Sequence, residues 1–152
     1  MKKMLIATLS IVLSAGLILT VLIFGFNFRN IEQDKTYEAV ENFDNYQIAE
    51  YVITQYFKYY KTHGLNLRLS DYKIDKIELC DDFINQEHIG TNNGFVFTVT
   101  YDVKPFFGNL FANWYAGNGS NNDTGWCVDK FGYYKVTAKD NEYVLDFLGT
   151  SI

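Results

Sequence analysis

Charge is absent from the chain between positions 4 and 28, an unbroken run of 25 residues that follows Lys2 and Lys3 and precedes Arg29. Roughly 20 apolar residues suffice to cross a ~30 Å hydrocarbon core, so the sequence predicts a single-pass transmembrane helix over residues 4–28. A cleaved signal peptide is the alternative, but its apolar core is only about 7–15 residues long. Aromatic residues at the end of the run would also obstruct a small-residue cleavage site. No cysteine lies near that end, which excludes a lipidated cysteine.

Cysteine and histidine are scarce, with two of each in the chain. Cys80 and Cys127 lie in no CxxC and beside no histidine, so the sequence predicts neither a metal site nor thiol catalysis. In an oxidising compartment the two cysteines can form a disulfide that closes a long loop. The alternative is two buried small hydrophobic residues that never meet. No catalytic or cofactor motif occurs, so the sequence assigns no catalytic residue and no cofactor.

Positive charge is in deficit after the apolar run. Residues 30–152 contain 10 of the 13 basic residues and all 18 acidic ones, a formal charge of −8. This balance argues against binding of nucleic acid and against close contact with anionic lipid. The length suits one domain with a core of its own.

The domain organisation follows from these features. We expect an anchor with a short cytoplasmic tail over residues 1–28, a neck over 29–36 and an α+β domain over 37–152. A short amino-terminal tail favours the cytoplasm, and a domain of this size translocates largely regardless of its charge. The sequence therefore predicts a cell-membrane protein with its domain outside.

The domain begins with a helix that has clear sequence boundaries. Asp44 and Gln47 have the spacing of a capping box, and Gly64 is suited to a left-handed helix end. A turn or two of helix is expected before it, from Tyr37 to Phe43. A helical period then joins Ala49, Val52, Ile53, Tyr56, Tyr60 and His63.

The rest of the domain has the period of two that is typical of strands. Residues 72–79 change parity near Asp75, which predicts a bulge and a bent strand. Residues 95–103 alternate strictly until Pro105, the single proline of the chain. Residues 126–130 and 133–138 are expected as strand interrupted at Gly132. A hairpin turn at 139–142 and a closing strand at 143–148 follow.

Two segments carry a resemblance: the capped helix that ends at His63 and Gly64, and the meander from residues 125–129 to 142–148. This order resembles the cystatin-like and nuclear-transport-factor-two-like cone folds, in the form of anchored extracytoplasmic domains common in Gram-positive bacteria. The resemblance covers about residues 37–151. It implies one long helix packed on a bent antiparallel meander sheet, and it names no function, because this fold hosts unrelated ones.

Five residues are candidates for a binding site. Trp114, Tyr115 and Trp126 lie in or beside a long irregular loop, where aromatic residues either anchor a partner or sugar or close the open end of a cone. Asp102 and Asp146 can act as a base if they point into the cone cavity, or face water if only one sheet face is buried.

We therefore expect a membrane-anchored extracytoplasmic module that binds an envelope protein or another envelope component. One alternative is a small-molecule enzyme that uses the cone cavity. Another is a scaffold subunit of an envelope secretion or conjugation complex.

Overall fold

The described part of the domain consists of a curled antiparallel sheet with a helix packed against it. The computed structural model describes residues 2–20, 35–64, 67–80, 94–108, 114 and 117–150. The elements in chain order are α1 (Lys2–Thr20), β1 (Thr36–Glu38), α2 (Asn45–Thr62), β2 (Leu69–Leu79), β3 (Gly94–Pro105), β4 (Ser120–Asn121), β5 (Cys127–Lys139) and β6 (Glu142–Gly149). The predicted α+β class is confirmed.

The strands are arranged in the order β1-β6-β5-β3-β2, with the short β4 paired to β5. All pairings are antiparallel. The register of β2 against β3 shifts between Ile74 and Lys76, which confirms the predicted bulge at Asp75. Further shifts occur between β3 and β5 and between β5 and β6. Since each bulge bends its strand and adds twist, the sheet curls into a half-barrel.

Helix α2 begins as the sequence predicts. The Asp44 carboxylate accepts a hydrogen bond of 2.8 Å from the Gln47 amide, and the Gln47 side chain accepts one of 3.0 Å from the Asp44 amide. After the helix, Gly64 takes a left-handed φ of 82°. The aromatic ring of His63 stacks on Tyr59 with 4.3 Å between ring centroids.

The core lies between α2 and the concave face of the sheet. Helix α2 contributes Ala49, Val52, Ile53, Phe57 and Tyr60. The sheet contributes residues of one parity on each strand, among them Phe97, Val99, Tyr101, Val103, Tyr134, Val136 and Leu145. The ring of Phe57 stacks on that of Tyr72, with the ring centroids 5.2 Å apart, and so joins the helix to β2.

One helix prediction and one strand prediction are wrong in detail. Residues 36–38 form β1 rather than helix, because Tyr37 pairs with Tyr143 of β6 and becomes buried. Gly132 does not interrupt β5, which continues through it opposite Val99. The hairpin at 139–142 is confirmed, with positive φ at both Asp140 and Asn141.

The amino-terminal helix covers only part of the predicted span. Helix α1 includes residues 4–20 of the apolar run, and residues 21–28 lie outside the described residues. Among the residues that the structure describes, no helix combines the length and the apolar character needed to cross a membrane. The transmembrane helix is therefore not supported by the structure.

Candidate functional site

A cavity of about 310 Å³ lies between the carboxyl-terminal half of α2, the curled sheet and the loop before β4. Its described lining is mainly aromatic: Tyr56, Tyr101, Trp114, Tyr134 and Phe147, together with Leu67. The polar part of the lining consists of Gly117, Asn118, Lys130 and Thr150. Because Gly117 and Thr150 are exposed, the cavity reaches the protein surface on that side.

Lys130 points into this cavity from the concave face of β5. It is 5% exposed and shares its parity with the buried residues Tyr134 and Val136. The register between β3 and β5 shifts just before it, where Asp129 has a φ of 56°. The Asp129 amide donates to the Asp102 carboxylate at 2.9 Å, and this contact stabilises the irregular backbone that turns Lys130 inward.

The Lys130 ammonium is held by the loop before β4. Its Nζ donates a hydrogen bond of 2.8 Å to the carbonyl oxygen of Asn118. Burial lowers the pKa of Lys130, because an apolar environment disfavours the charged form, and the neighbouring Cys127 acts in the opposite direction. Lys130 is the one charged side chain among the described residues that line the cavity.

Three tyrosines, Tyr56, Tyr101 and Tyr134, belong to the described lining of the cavity. The Tyr134 hydroxyl donates a hydrogen bond to the Tyr101 hydroxyl, and the Tyr56 hydroxyl donates one to the Tyr60 hydroxyl. Burial, followed by the nearby tyrosines, raises the pKa of Tyr56 and of Tyr134 well above the ordinary value of 10.0. These hydroxyls therefore stay protonated near neutral pH, and each uses its one hydrogen in the bond to the neighbouring tyrosine.

Trp114 forms a wall of the cavity and not an exposed anchor. It is 6% exposed, and its indole nitrogen donates a hydrogen bond of 2.8 Å to the carbonyl oxygen of Leu67. Its ring lies 5.9 Å from that of Tyr60 and 6.2 Å from that of Phe57, measured between centroids. This position fits the interpretation of an aromatic residue that closes the open end of the sheet.

The two carboxylates for which a position in the cavity was one alternative, Asp102 and Asp146, are not part of its described lining. Asp102 faces the convex side of the sheet, opposite Lys73, and accepts the Asp129 amide. Asp146 is exposed and pairs with Lys135 across β5 and β6. Of the two alternatives that the sequence left open, these positions fit the one in which only one face of the sheet is buried, because on both strands the concave face carries the opposite parity.

The other two aromatic candidates lie elsewhere. Trp126 is half-buried, and Lys104 Nζ lies 6.0 Å from the centroid of its ring. It is not part of the described lining of the cavity. Tyr115 lies outside the described residues.

Cys80 and Cys127 lie beside opposite ends of β3 and form no disulfide with each other. The Cys80 amide donates to the carbonyl of Val96, whereas Cys127 pairs with Val103. At ~3.3 Å per residue these positions are roughly 20 Å apart along the strand. A disulfide needs Cα atoms within about 7 Å, so these positions fit the alternative in which the two cysteines do not meet.

Sequence reasoning missed Lys130, although a signal for it was present. On β5 the positions 130, 132, 134 and 136 share one parity, and this parity carries the buried Tyr134 and Val136. A lysine in phase with buried residues indicates a cation on the concave face. Asn118 had no comparable signal, because its role depends on a loop that meets β5. Within the described ranges, no three of the His, Cys, Asp and Glu side chains are grouped to hold a metal ion.

Comparison of the chain with protein-family models, with curated proteins and with solved structures found no match.

Proposed function

We propose that the chain is a membrane-anchored extracytoplasmic binding module whose ligand occupies the aromatic cavity. The observation that carries this proposal is a cavity of about 310 Å³ with five aromatic walls that opens at the surface. Ligand pockets are typically concave, mainly apolar and a few hundred Å³ or more in volume, with a small number of polar groups that orient the ligand.

The volume limits the size of the ligand. An engineered apolar cavity of about 150 Å³ accommodates benzene. The present cavity has about twice that volume, which suits a ligand of two fused rings or an aliphatic body of similar size. Flat rings suit it best, because the wall consists mostly of aromatic faces and edges.

The anchor part of the proposal rests on the apolar run at residues 4–28. The apolar side chains described in α1 between Ile11 and Leu19 are 58 to 69% exposed. Such a surface is unfavourable in water and is covered at low cost by lipid. The acidic domain suits a location off the anionic bilayer surface.

Ligand binding can be followed at the two tryptophans of the full chain, each of which gives one indole N–H signal in a nitrogen-correlated NMR spectrum. A Trp126→Phe variant identifies the Trp114 signal. We expect the neutral probe 2-naphthamide to shift the Trp114 signal saturably and to leave Trp126 unchanged. No saturable shift of Trp114 at any soluble concentration of the probe would refute a binding cavity.

Neighbouring residues of β6 offer a matched pair of variants. Phe147 is 48% exposed and lines the cavity, whereas Leu148 is 37% exposed and does not belong to the described lining. Phe147→Ala is expected to weaken 2-naphthamide binding by about tenfold through loss of one aromatic wall. Leu148→Ala is expected to leave the affinity unchanged. Equal effects of the two variants would place the probe outside the cavity.

The location is tested by reporter fusions after Ile152, with one reporter active only in the cytoplasm and the other only outside. We expect activity only from the outside reporter. The anchor also predicts that the protein taken from membranes retains residues 1–28. A mature amino terminus near Arg29 would show a cleaved signal peptide instead.

A further inference from the structure

We infer that two copies of this chain pair through the outer edge of β2, so that their two sheets join into one across a two-fold axis. The proposal goes beyond the proposed function and does not depend on the cavity. Among the described residues, β2 pairs with β3 alone and stands last in the strand order. A strand at the edge of a sheet presents main-chain donors and acceptors to which a further strand can bind.

The hydrogen bonds between β2 and β3 show which residues of β2 point to the outer edge. The Cys80 amide donates to the Val96 carbonyl at 2.9 Å. Hydrogen-bonded and non-hydrogen-bonded residue pairs alternate along an antiparallel ladder. The β2 residues opposite the odd-numbered positions of β3 therefore direct their main-chain groups outward: Tyr72, Ile74, Ile77 and Leu79.

The sequence of β2 is complementary to itself when two copies run antiparallel. With the axis between Asp75 and Lys76, each residue of segment 72–79 lies opposite one of matching chemistry. The pairs are Tyr72 with Leu79, Lys73 with Glu78, Ile74 with Ile77 and Asp75 with Lys76. A shift of the register by one position opposes Asp75 to Asp75 or Lys76 to Lys76. Like charges directly opposite each other are destabilising, so the chemistry selects one register.

The bulge in β2 makes this register possible. Side chains of a regular strand alternate between the two faces, and opposite residues of an antiparallel pair point to the same face. Two copies of a regular strand therefore cannot oppose sequence neighbours such as Asp75 and Lys76. The register shift between Ile74 and Lys76 leaves Asp75 and Lys76 both exposed, with Ile74 and Ile77 both packed toward the core. With the axis at the bulge, each proposed pair joins side chains of one face.

The apolar pairs lie on the face that also contacts α2. Leu79 is 37% exposed, although it belongs to the same face as the buried Ile77. In the proposed dimer it packs against Tyr72 of the second copy, and this contact removes apolar surface from water. The outward main-chain groups of these residues then form hydrogen bonds with the same groups of the second copy.

The charged pairs lie on the convex face and remain compensated. Within one copy Lys73 contacts Asp75, and Lys76 Nζ lies 2.7 Å from Glu78 Oε1. A carboxylate accepts several hydrogen bonds, so each can bind a lysine of its own copy and one of the second copy. Lysines and bulges at a sheet edge discourage pairing with unrelated strands. Because this pattern is complementary to itself, it favours a second copy over other partners.

The test exchanges charges at Lys73 and Glu78 in the full chain, with the oligomeric state measured by sedimentation equilibrium in detergent. An interface made by one strand edge is small, so we expect a monomer–dimer equilibrium with a Kd below about 1 mM. Lys73→Glu and Glu78→Lys each place like charges opposite each other in the homodimer and should each weaken it about tenfold or more. A mixture of the two variants should dimerise as the unmodified protein does, because it restores opposite charges at both positions.

Two matched controls change the same charges on the exposed surface of α2, Lys58→Glu and Glu50→Lys, and should leave the dimer unchanged. An unmodified chain that stays monomeric up to about 1 mM would overturn the inference. So would a dimer that persists in both single variants, since it would be held elsewhere, or a mixture that does not associate. If Lys73→Glu does not fold, Glu78→Lys and its control still decide the matter. None of these outcomes affects the proposed function.

Discussion

The side chains of Lys130 and Asn118 hold the same stretch of β5 against the loop before β4. Lys130 Nζ donates to the Asn118 carbonyl oxygen at 2.8 Å, and Asn118 Nδ2 donates to the Phe131 carbonyl oxygen at 2.6 Å. The Phe131 amide donates back to Asn118 Oδ1 at 3.3 Å. The side chain of Asn118 therefore replaces a strand partner for Phe131, and its main chain orients the ammonium in the cavity.

We predict that Asn118→Ala lowers the free energy of unfolding by about 1–3 kcal/mol, since it leaves both main-chain groups of Phe131 without this partner. It should also weaken 2-naphthamide binding at Trp114. Urea unfolding and the NMR titration measure the two effects. The matched control is Asn122→Ala, which removes hydrogen bonds to the Thr124 and Trp126 amides outside the cavity. It should lower stability but leave the affinity unchanged. A normal affinity in Asn118→Ala would separate this residue from the site.

A second prediction concerns the start of α2. Replacing Asp44 by Ala removes the acceptor for the Gln47 amide and should cost about 1 kcal/mol of unfolding free energy. Asp44→Asn keeps an acceptor oxygen and should retain most of the stability. Urea denaturation of the two variants makes the comparison. If Asp44→Asn and Asp44→Ala lower the free energy of unfolding equally, the hydrogen bond to the Gln47 amide is not what stabilises this helix end.

The helix was predictable because its signals are local. The capping box spans four residues, and Gly64 directly follows the helix cap. β1 was not predictable in this way. Tyr37, Val40 and Phe43 have a spacing that suits a helix, yet Tyr37 becomes part of a strand because it meets Tyr143 of β6. That contact joins residues more than a hundred positions apart, and no local pattern encodes it.

The site was predictable in its aromatic part and not in its charged part. Trp114 belongs to the cavity, as an interpretation of the loop aromatics allowed. Asp102 and Asp146 were candidates because a carboxylate that points into a cone cavity can act as a base, but both have the parity of the convex face. Lys130 had the parity of the concave face. The period of two was thus a better guide than the type of residue.

A third prediction concerns alkaline pH. The pKa of Tyr134 is raised well above 10.0 in the folded protein, first by burial and then by Tyr101 and Tyr56. Above pH 10 the unfolded chain releases this proton and the folded chain keeps it, so stability falls as the pH rises. In Tyr134→Phe the free energy of unfolding should therefore fall less steeply with pH, by about 1.4 kcal/mol per pH unit above pH ~10. Below pH ~10 the substitution should change the free energy of unfolding by the same amount at every pH, because the lost hydrogen bond to Tyr101 does not depend on pH there. Urea unfolding of the unmodified protein and of Tyr134→Phe at several pH values tests this prediction. An identical dependence of the unfolding free energy on pH in the two proteins would contradict it.

A fourth prediction concerns Cys127. Its side chain is 1% exposed, and burial raises the pKa of its thiol, with Lys130 acting in the opposite direction. In a Cys80→Ser variant, a thiol reagent should label Cys127 at least about 100-fold more slowly in the native protein than in denaturant, because labelling requires local opening. Mass spectrometry over time measures both rates. Native labelling as fast as that of the unfolded chain would show that the carboxyl-terminal end of β3 does not cover this thiol.

The last prediction uses Gly132, which faces the concave side of β5. A Cβ atom at this position would lie 2.9 Å from Phe147 Cε2 and 3.1 Å from Tyr134 Cε2. Gly132→Ala must therefore displace these rings, and we expect it to cost about 1–3 kcal/mol of unfolding free energy. Phe147 can move because it is half exposed, whereas Tyr134 is fixed by its neighbours. Most of the cost should thus disappear when Phe147 is Ala. A double-mutant cycle by urea unfolding measures this coupling. Strictly additive effects of Gly132→Ala and Phe147→Ala would mean that the two residues do not meet, and that the cavity wall is formed differently.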